Sequence, residues 1–153
     1  MTTIPRPRGR YFEEFEIGDE VETGARTVTE TDVVLFAGLS GDYTPLHTDA
    51  EFARETLFGE RIAHGLLGLS IASGLASQLG FIEGTVLAFR GLECKFRSPI
   101  KFGDTIRACF KVREKKEMRR LGGGLVTFDV SLFNQRDETV QTGAWTILIK
   151  SAP

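Results

Sequence analysis

The hydrophobic pattern of the chain changes its period near residue 85. From Thr85 onward, apolar and polar residues alternate in four segments, at residues 85–96, 104–117, 124–135 and 139–150. A period of two is typical of half-buried β-strands. In the second and third segments, the residues that share one side are all apolar: Ile106, Ala108, Phe110, Val112, Val126, Phe128, Val130 and Leu132. The pattern predicts a meander of strands with one face on a core.

The first half of the chain has helical spacing, after two short extended pieces joined at a glycine within residues 15–30. Thr29 is a predicted N-cap with Asp32 three residues later, and one buried face follows at Val33, Phe36 and Ala37. This helix is expected to stop in the stretch Ser40–His47, SGDYTPLH, which is too rich in Gly and Pro for helix or strand. Asp49 is expected to cap a second short helix with helical spacing at Phe52, Ala53, Thr56 and Leu57.

Residues 63–80 form a third helical segment, which differs from the others because it carries no charge between Gly65 and Gly80. A helix that is apolar on every side is normally enclosed by other structure. Its small residues would let strands pack closely around it, at Gly68, Ser70, Ala72, Ser73, Gly74 and Ala76. Helices early and strands late therefore predict an α+β domain in which an antiparallel sheet curls around one central helix.

Composition narrows the possible functions. The 153 residues fit one domain, 1–153, and a net charge of -2 lacks the strongly basic balance that nucleic-acid binding usually requires. Cys94 and Cys109 form no CxxC motif, so neither a zinc site nor a disulfide framework is predicted, and an intracellular, cytoplasmic protein is the simplest interpretation. No segment has the length of a signal peptide or a membrane span, and residues 1 to about 10 are expected to form a mobile arm.

The stretch SGDYTPLH places a carboxylate and an imidazole, Asp42 and His47, in a turn that can bring them together. Two such groups within hydrogen-bond reach of one water molecule can remove a proton from it and return a proton elsewhere, which is general acid–base catalysis. Asp and Pro are also ordinary turn residues, so the stretch can equally be a structural loop. The residue pattern alone leaves both interpretations open.

Gly65 supplies a possible third part of a site. At the start of the apolar helix, the first backbone N–H groups have no partner within the helix and the helix dipole is positive. A glycine there lets a carbonyl group approach, so the Gly65 N–H is a candidate oxyanion donor. The alternative is that Gly65 only permits close packing. His64 is interpreted as a residue that caps or holds the loop.

Other chemistries are predicted less well by the sequence. Asp42, His47, Asp49 and His64 offer metal-ligand atoms, but their spacing matches no zinc pattern. Ser40 and Ser73 lie in no nucleophile-elbow motif, and neither cysteine has a flanking base.

Residues 36–75 together resemble the signature region of the MaoC-like dehydratases, which include the (R)-specific enoyl-CoA hydratases and have the hot dog fold. The family motif of Asp, Pro and His corresponds to Asp42, Pro45 and His47, and the family's Gly after a His corresponds to Gly65. One residue departs from the motif: Thr44 stands where the family usually has Asn. Thr44 keeps a hydrogen-bonding group but loses the amide, which affects the orientation of the pair or the preferred substrate.

The resemblance implies a cofactor-free enzyme that adds water to a 2-enoyl-CoA thioester or removes it from a 3-hydroxyacyl thioester. It implies that Asp42 is the base toward a water molecule, that His47 helps to deliver a proton to C2, and that the Gly65 N–H polarises the thioester carbonyl. Ser73 matches a family serine near the substrate, and Thr44 is a further candidate for substrate binding. A thioesterase of the same fold and a non-catalytic acyl-CoA-binding partner subunit remain as alternatives.

The family fold also implies a partner, because it pairs two sheets into a dimer and binds the thioester near the interface. A homodimer, or a higher oligomer built from dimers, is therefore expected, with no membrane and no nucleic acid as partners. A basic run is a candidate for binding coenzyme A phosphates and is equally explained as a solvated hairpin tip: Lys111, Arg113, Lys115, Lys116, Arg119 and Arg120.

Overall fold

The computed structural model describes residues 8–153, and its second half consists of long antiparallel strands. These are β3 (Val86–Phe96), β4 (Thr105–Met118), β5 (Gly123–Phe133) and β6 (Thr139–Lys150). Each coincides with one of the four alternating segments. The apolar residues predicted to share one side of β4 and β5 are all buried, and none is more than 3% exposed.

The order of the strands in the sheet differs from a simple meander. Two short strands, β1 (Glu20–Glu22) and β2 (Arg26–Thr27), pair with β4, and the path through the sheet is β1-β4-β5-β6-β3. The strands β4 to β6 do follow one another, but β3 lies beyond β6 at the far edge. The meander prediction was therefore wrong for β3, because alternation along a strand specifies its faces and says nothing about its neighbours.

The first half of the chain forms three short helices at one end of the sheet: α1 (Glu30–Ser40), α2 (Pro45–Thr48) and α3 (Ala50–Arg54). The capping box of Thr29 and Asp32 at α1 and the Asp49 cap of α3 are both present, as predicted. Two predictions were wrong. SGDYTPLH contains a helical turn, because Pro45 occupies a favourable first helical position, and α3 ends before Leu57, which is 90% exposed.

The apolar segment at residues 63–80 forms α4 (Gly65–Leu79), which begins at Gly65 as predicted. One of its faces packs onto the sheet through Leu67, Gly68, Ile71, Ala72, Leu75 and Ala76. The opposite face is exposed in this single chain, at Leu66, Ser70, Ser73, Gly74 and Ser77. The expectation that α4 is enclosed on every side was therefore wrong for the isolated chain, although its central position in the curled sheet was correct.

Edge-to-face aromatic contacts fill the space between the sheet and the N-terminal segment. The Phe128 ring lies 5.8 Å from Phe15 and 5.9 Å from Phe81, between ring centroids. The predicted arm at residues 1–10 lies mostly outside the described residues. At its described end, the Gly9 and Arg10 amides each donate a 2.8 Å hydrogen bond to the chain just after α4. Within residues 8–153, no helix is long and apolar enough to cross a membrane.

Candidate active site

The SGDYTPLH stretch folds back on itself and brings Asp42 and His47 together. Helix α1 ends at Gly41, whose φ of 77° is in the left-handed region and turns the chain sharply. The Asp42 amide donates to the Ser40 hydroxyl at 3.1 Å, which tightens this turn. Pro45 then begins α2, and one helical turn presents His47 on the same side as Asp42.

Two hydrogen bonds from Thr44 fix the Asp42 carboxylate. The Thr44 hydroxyl donates to Asp42 Oδ1 at 2.5 Å, and the Thr44 backbone amide donates to the same oxygen at 3.1 Å. These bonds lower the pKa of Asp42 below its usual range, and the nearby His64 and His47 side chains add to the effect. The carboxyl group is therefore ionised and can accept a proton.

The His47 ring is held by a backbone carbonyl. His47 Nδ1 lies 2.8 Å from the oxygen of Ile62, and a carbonyl only accepts, so Nδ1 carries the hydrogen. The remaining nitrogen, Nε2, is left to accept a proton from a bound molecule or to return one. His47 and Asp42 are thus a candidate acid–base pair, and hydrogen bonds fix the orientation of both side chains.

His64 supports this pair from beneath. It is 2% exposed, its ring stacks on the His47 ring with 3.9 Å between centroids, and its Nε2–H donates to the Asp42 carbonyl at 2.9 Å. Its other nitrogen, Nδ1, is buried and has no hydrogen-bond partner among the described residues. His64 holds the loop, as the sequence suggested.

A metal would be held poorly by these groups. Ligand-type atoms of Asp42, His47 and His64 lie within 4.8 Å of one another. However, the two imidazole rings are only 27° from parallel. The lone pair of an imidazole nitrogen lies in the plane of its ring. Two stacked imidazole rings therefore do not point their nitrogen lone pairs at one tetrahedral metal ion. The arrangement favours a hydrogen-bonded water molecule over a cation.

Gly65 is the first residue of α4. It lines the same cavity as Asp42 and His47. The amides of Gly65 and Leu66 donate to no acceptor among residues 8–153, so both are available at the positive end of the helix. A Cβ atom added at Gly65 would lie 2.4 Å from Cε1 of Phe96. Both interpretations of Gly65 therefore have support, because it offers a donor and also permits close packing of Phe96.

A cavity of about 460 Å³ connects these groups. Asp42, His47, His64 and Gly65 line it together, and much of the remaining wall is apolar: Leu46, Phe58, Ile62, Ala63, Pro99 and Ile100. A mostly apolar cavity with a few convergent polar groups is the usual form of a small-molecule site. The arrangement suits a molecule with an apolar part along this wall and reactive atoms between Asp42, His47 and the helix start.

Two candidate residues lie elsewhere. Ser73 is on the exposed face of α4, donates to the Ser70 carbonyl at 2.7 Å, and lines a second cavity with Trp145 and Phe89. Thr44 contacts Asp42 and is absent from the wall of the main cavity. Substrate binding by Ser73 or Thr44 therefore stays a prediction, and Thr44 has the more evident role of orienting Asp42.

The end of the basic run, at Arg119 and Arg120, lies at the far end of the sheet, whereas Lys111 pairs with Asp129 nearer its middle. Gly123, next to the hairpin tip, pairs with Lys150 at the end of β6, whereas the cavity residue Gln141 lies near the start of that strand. Strands rise about 3.4 Å per residue, so these ends are roughly 30 Å apart. Arg113 pairs with Asp129, and Arg119 with Glu117. In a single chain, the solvated hairpin tip is the better interpretation.

Phe96 and Gln141 are among the cavity residues that the sequence interpretation missed. Phe96 packs over Gly65, and Gln141, 2% exposed, donates from Nε2 to the Gly65 carbonyl at 2.9 Å. Both lie on strands far from SGDYTPLH in sequence. One indication of Gln141 was present in the sequence. The alternation of residues 139–150 places this polar side chain on the apolar face of its strand.

Comparisons with known proteins show which sequences and folds this chain is similar to. The sequence model of the family described as MaoC like domain matches residues 13–132. Protein MaoC from Klebsiella aerogenes is 43% identical over 110 residues, and the chain spans 32% of its length. The match covers 71% of this chain. An (R)-specific enoyl-CoA hydratase from Aeromonas caviae is 31% identical over 128 residues, which cover 84% of this chain and 90% of that protein.

Two solved structures share the fold. A protein from Archaeoglobus fulgidus named monoamine oxidase regulatory protein has a TM-score of 0.90 and 42% identity, and the match covers 98% of this chain and 100% of that one. A Mycobacterium tuberculosis protein with a double hot dog fold has a TM-score of 0.84 and 18% identity, over 98% of this chain and 46% of that one. The expected hot dog fold is confirmed.

Proposed function

Because the chain belongs to the MaoC-like domain family, we propose that it is a hydro-lyase that adds water to 2-enoyl thioesters and removes it from 3-hydroxyacyl thioesters. The observation that carries the proposal is the convergence of Asp42, His47 and the free amides of Gly65 and Leu66 on one cavity. Acid–base groups and oxyanion donors are the two parts that this reaction needs.

Asp42 and His47 divide the proton transfers between them. A water molecule bound by both attacks C3 of the enoyl thioester, and its proton passes to the Asp42 carboxylate. Protonated His47 delivers a proton from Nε2 to C2, and Asp42 then returns its proton to His47. One water molecule is consumed, the C2–C3 double bond becomes a single bond, and both side chains regain their starting states.

The start of α4 stabilises the charge that develops during this step. As the hydroxyl adds to C3, electron density moves through C2 onto the thioester oxygen and gives it enolate character. The Gly65 N–H donates to that oxygen in a region where the helix dipole favours negative charge. Removal of one such donor typically costs about 100- to 1000-fold in rate.

The stereochemistry and the thioester carrier belong to the same proposal. An (R)-3-hydroxyacyl-CoA product is supported by the relative from Aeromonas caviae, an (R)-specific enoyl-CoA hydratase that the match covers almost completely. The apolar wall of the cavity supports an apolar acyl chain. Oxidation of the hydration product by dehydrogenases of opposite stereospecificity would test the (R) assignment, since only the (R)-specific one should act on it.

We also propose a homodimer built through the edge strand β3. Apolar side chains on this strand are 40% to 56% exposed in the single chain, which is unusual for an unpaired edge: Val86, Leu87, Phe89, Leu92 and Phe96. Light scattering should report twice the chain mass for the wild type. Leu92→Glu should shift it toward the monomer, whereas Leu57→Glu, at an exposed leucine after α3, should not.

Steady-state hydration tests the catalytic assignment. Loss of enoyl absorbance with crotonyl-CoA and longer enoyl-CoAs should be fast for the wild type, and Asp42→Asn and His47→Gln should each reduce kcat by about 100-fold or more. No wild-type activity on any enoyl thioester, or undiminished activity in both variants, would refute the proposal. Release of free thiol would identify a thioesterase, and acyl-CoA binding without turnover would identify a binding subunit.

A further inference from the structure

Gln141 is a buried polar side chain that the mechanism above leaves unused. It lies near the start of β6 and is 2% exposed. Across the sheet it pairs with Leu132 of β5 and with Phe96 of β3. Burial of an amide among such neighbours is unfavourable unless its donors and acceptor are satisfied. The two ends of this amide therefore indicate what the residue does.

Both ends of the Gln141 amide have a partner. Nε2 donates to the Gly65 carbonyl at 2.9 Å, and Oε1 accepts from the Cys94 thiol at 3.8 Å. A carbonyl oxygen only accepts, so the amide nitrogen must face Gly65. Burial raises the pKa of Cys94, which keeps its thiol protonated and able to donate. The two bonds together fix which way the amide points.

The amide also lies directly against the backbone of α4. A Cβ atom added at Gly68, one turn into the helix, would lie 2.5 Å from Gln141 Nε2 and 2.6 Å from Ile100 Cδ1. Only a glycine allows this approach. Gln141 thus joins the sheet to the first turn of α4 through a hydrogen bond and through close packing.

The Gly65 carbonyl belongs to the peptide unit whose N–H is that of Leu66. A hydrogen bond to the oxygen of a peptide polarises the group and strengthens its N–H as a donor. Because α4 has only this first turn beside the cavity, its position sets where the Gly65 and Leu66 amides point. Catalysis by oxyanion donors is sensitive to small displacements, so an anchor on this turn has a chemical consequence.

We propose that Gln141 is a positioning residue that aims the amides of Gly65 and Leu66 at the thioester oxygen, with Cys94 orienting its amide. This rests on the proposed function, since it assigns a role within the same site. It differs from a purely structural role in one respect. Loss of the anchor should weaken stabilisation of an enolate oxygen more than it weakens binding of an acyl thioester that forms no enolate.

Gln141→Met tests this, because Met has a similar shape and length but makes neither hydrogen bond. We expect kcat on crotonyl-CoA to fall about 10- to 100-fold with KM changed by no more than about twofold. Acetoacetyl-CoA supplies the second readout, since its enolate absorbs in the near ultraviolet and oxyanion donors favour that form. The enolate fraction of bound acetoacetyl-CoA should fall, while affinity for butyryl-CoA stays within about twofold.

Matched variants separate positioning from loss of stability. Gln135→Met removes hydrogen bonds to Asp104 and Thr105 away from the cavity and should leave kcat and the enolate fraction unchanged. Cys94→Ala should lower both severalfold, and Cys94→Ser, which keeps a donor, should restore them. If Gln141→Met does not fold, the comparison of Cys94→Ala with Cys94→Ser tests the positioning role of Gln141.

Unchanged kcat and enolate fraction in Gln141→Met, or equal effects of Cys94→Ala and Cys94→Ser, would overturn the proposal. A loss of activity in which affinity for butyryl-CoA falls equally would also overturn it, because that indicates general damage. Failure of the proposed function gives a different result. In that case the wild type hydrates no enoyl thioester. The enolate fraction of bound acetoacetyl-CoA can still be compared between the wild type and the Gln141 and Cys94 variants.

Discussion

Thr44 donates two hydrogen bonds to the same oxygen of Asp42, from its hydroxyl at 2.5 Å and from its backbone amide at 3.1 Å. Both bonds are made to Oδ1, which leaves Oδ2 as the oxygen available to a bound water molecule. They also stabilise the ionised form and lower the pKa of Asp42. The residue that departs from the family motif therefore orients the carboxylate and keeps it charged.

Thr44→Val should shift the pH dependence of the reaction. Valine has the same shape but lacks the hydroxyl, so the largest cause of the lowered Asp42 pKa is removed and that pKa rises. A base must be ionised to act, so the acid limb of the kcat/KM profile should move to higher pH. Thr44→Ser retains the hydroxyl and should leave the limb in place. Coincident profiles for the valine variant and the wild type would contradict the role of Thr44.

Gly65→Ala separates the two interpretations of Gly65. The added Cβ would lie 2.4 Å from the Phe96 ring, the end of a side chain that can shift, so the free energy of unfolding should fall by about 1 to 3 kcal/mol. Activity should fall about 100-fold, because the methyl group also obstructs the carbonyl. The double variant with Phe96→Ala is compared with Phe96→Ala alone. Recovery of activity in the double variant would show that packing was the only requirement.

Gly143→Ala should destabilise the sheet strongly. A Cβ atom at this position would lie 1.9 Å from the backbone oxygen of Glu93 on β3, and backbone atoms of a paired strand cannot shift aside. We expect a loss of about 3 kcal/mol or more in the free energy of unfolding, measured by urea denaturation. Gly91→Ala is the control, because nothing lies within 4 Å of a Cβ atom there. Equal stability of the two variants would contradict the close pairing of β3 with β6 at this position.

Cys109 should react slowly with thiol reagents. Burial, together with the Glu20 carboxylate that accepts its hydrogen bond at 3.1 Å, raises the pKa of Cys109 to about 11. The thiolate is the reactive form, so alkylation by iodoacetamide near pH 8 should be slow and should accelerate as the pH rises. Glu20→Gln removes the repulsive charge and should lower the pKa and speed the reaction, monitored by mass spectrometry. A rate like that of free cysteine would contradict this.

The sequence predicted the local parts of the fold well. The Thr29 and Asp49 caps and the start of α4 depend on neighbouring residues, and all of them are in the structure. The position of β3 beyond β6 depends on contacts between distant segments, which alternation does not encode. The exposed face of α4 was not predicted. A helix that is apolar on every side is expected to be covered, but its sequence does not show whether the same chain or a second protein chain covers a given face.

In the candidate site too, features set by neighbouring residues were predicted and features set by distant segments were not. Asp42, Thr44 and His47 lie within one short stretch, so a local motif predicted that two of them would converge. Gln141 reaches Gly65 from a strand late in the chain, and only the folded sheet brings them together. Ser73 was a candidate because it matches a family serine, yet it lies on the exposed side of α4 and lines another cavity. A match to one family residue does not fix which cavity that side chain faces.

The isotopic composition of the product tests the central claim most directly. Crotonyl-CoA incubated with the protein in D₂O and analysed by mass spectrometry and NMR should yield 3-hydroxybutyryl-CoA with one deuterium on C2 and an intact thioester. Asp42→Asn should form this product at least about 100-fold more slowly. Recovery of crotonyl-CoA with no hydroxyacyl product, appearance of free coenzyme A in place of the hydroxyacyl thioester, or an equal rate in Asp42→Asn would contradict hydration by Asp42 and His47.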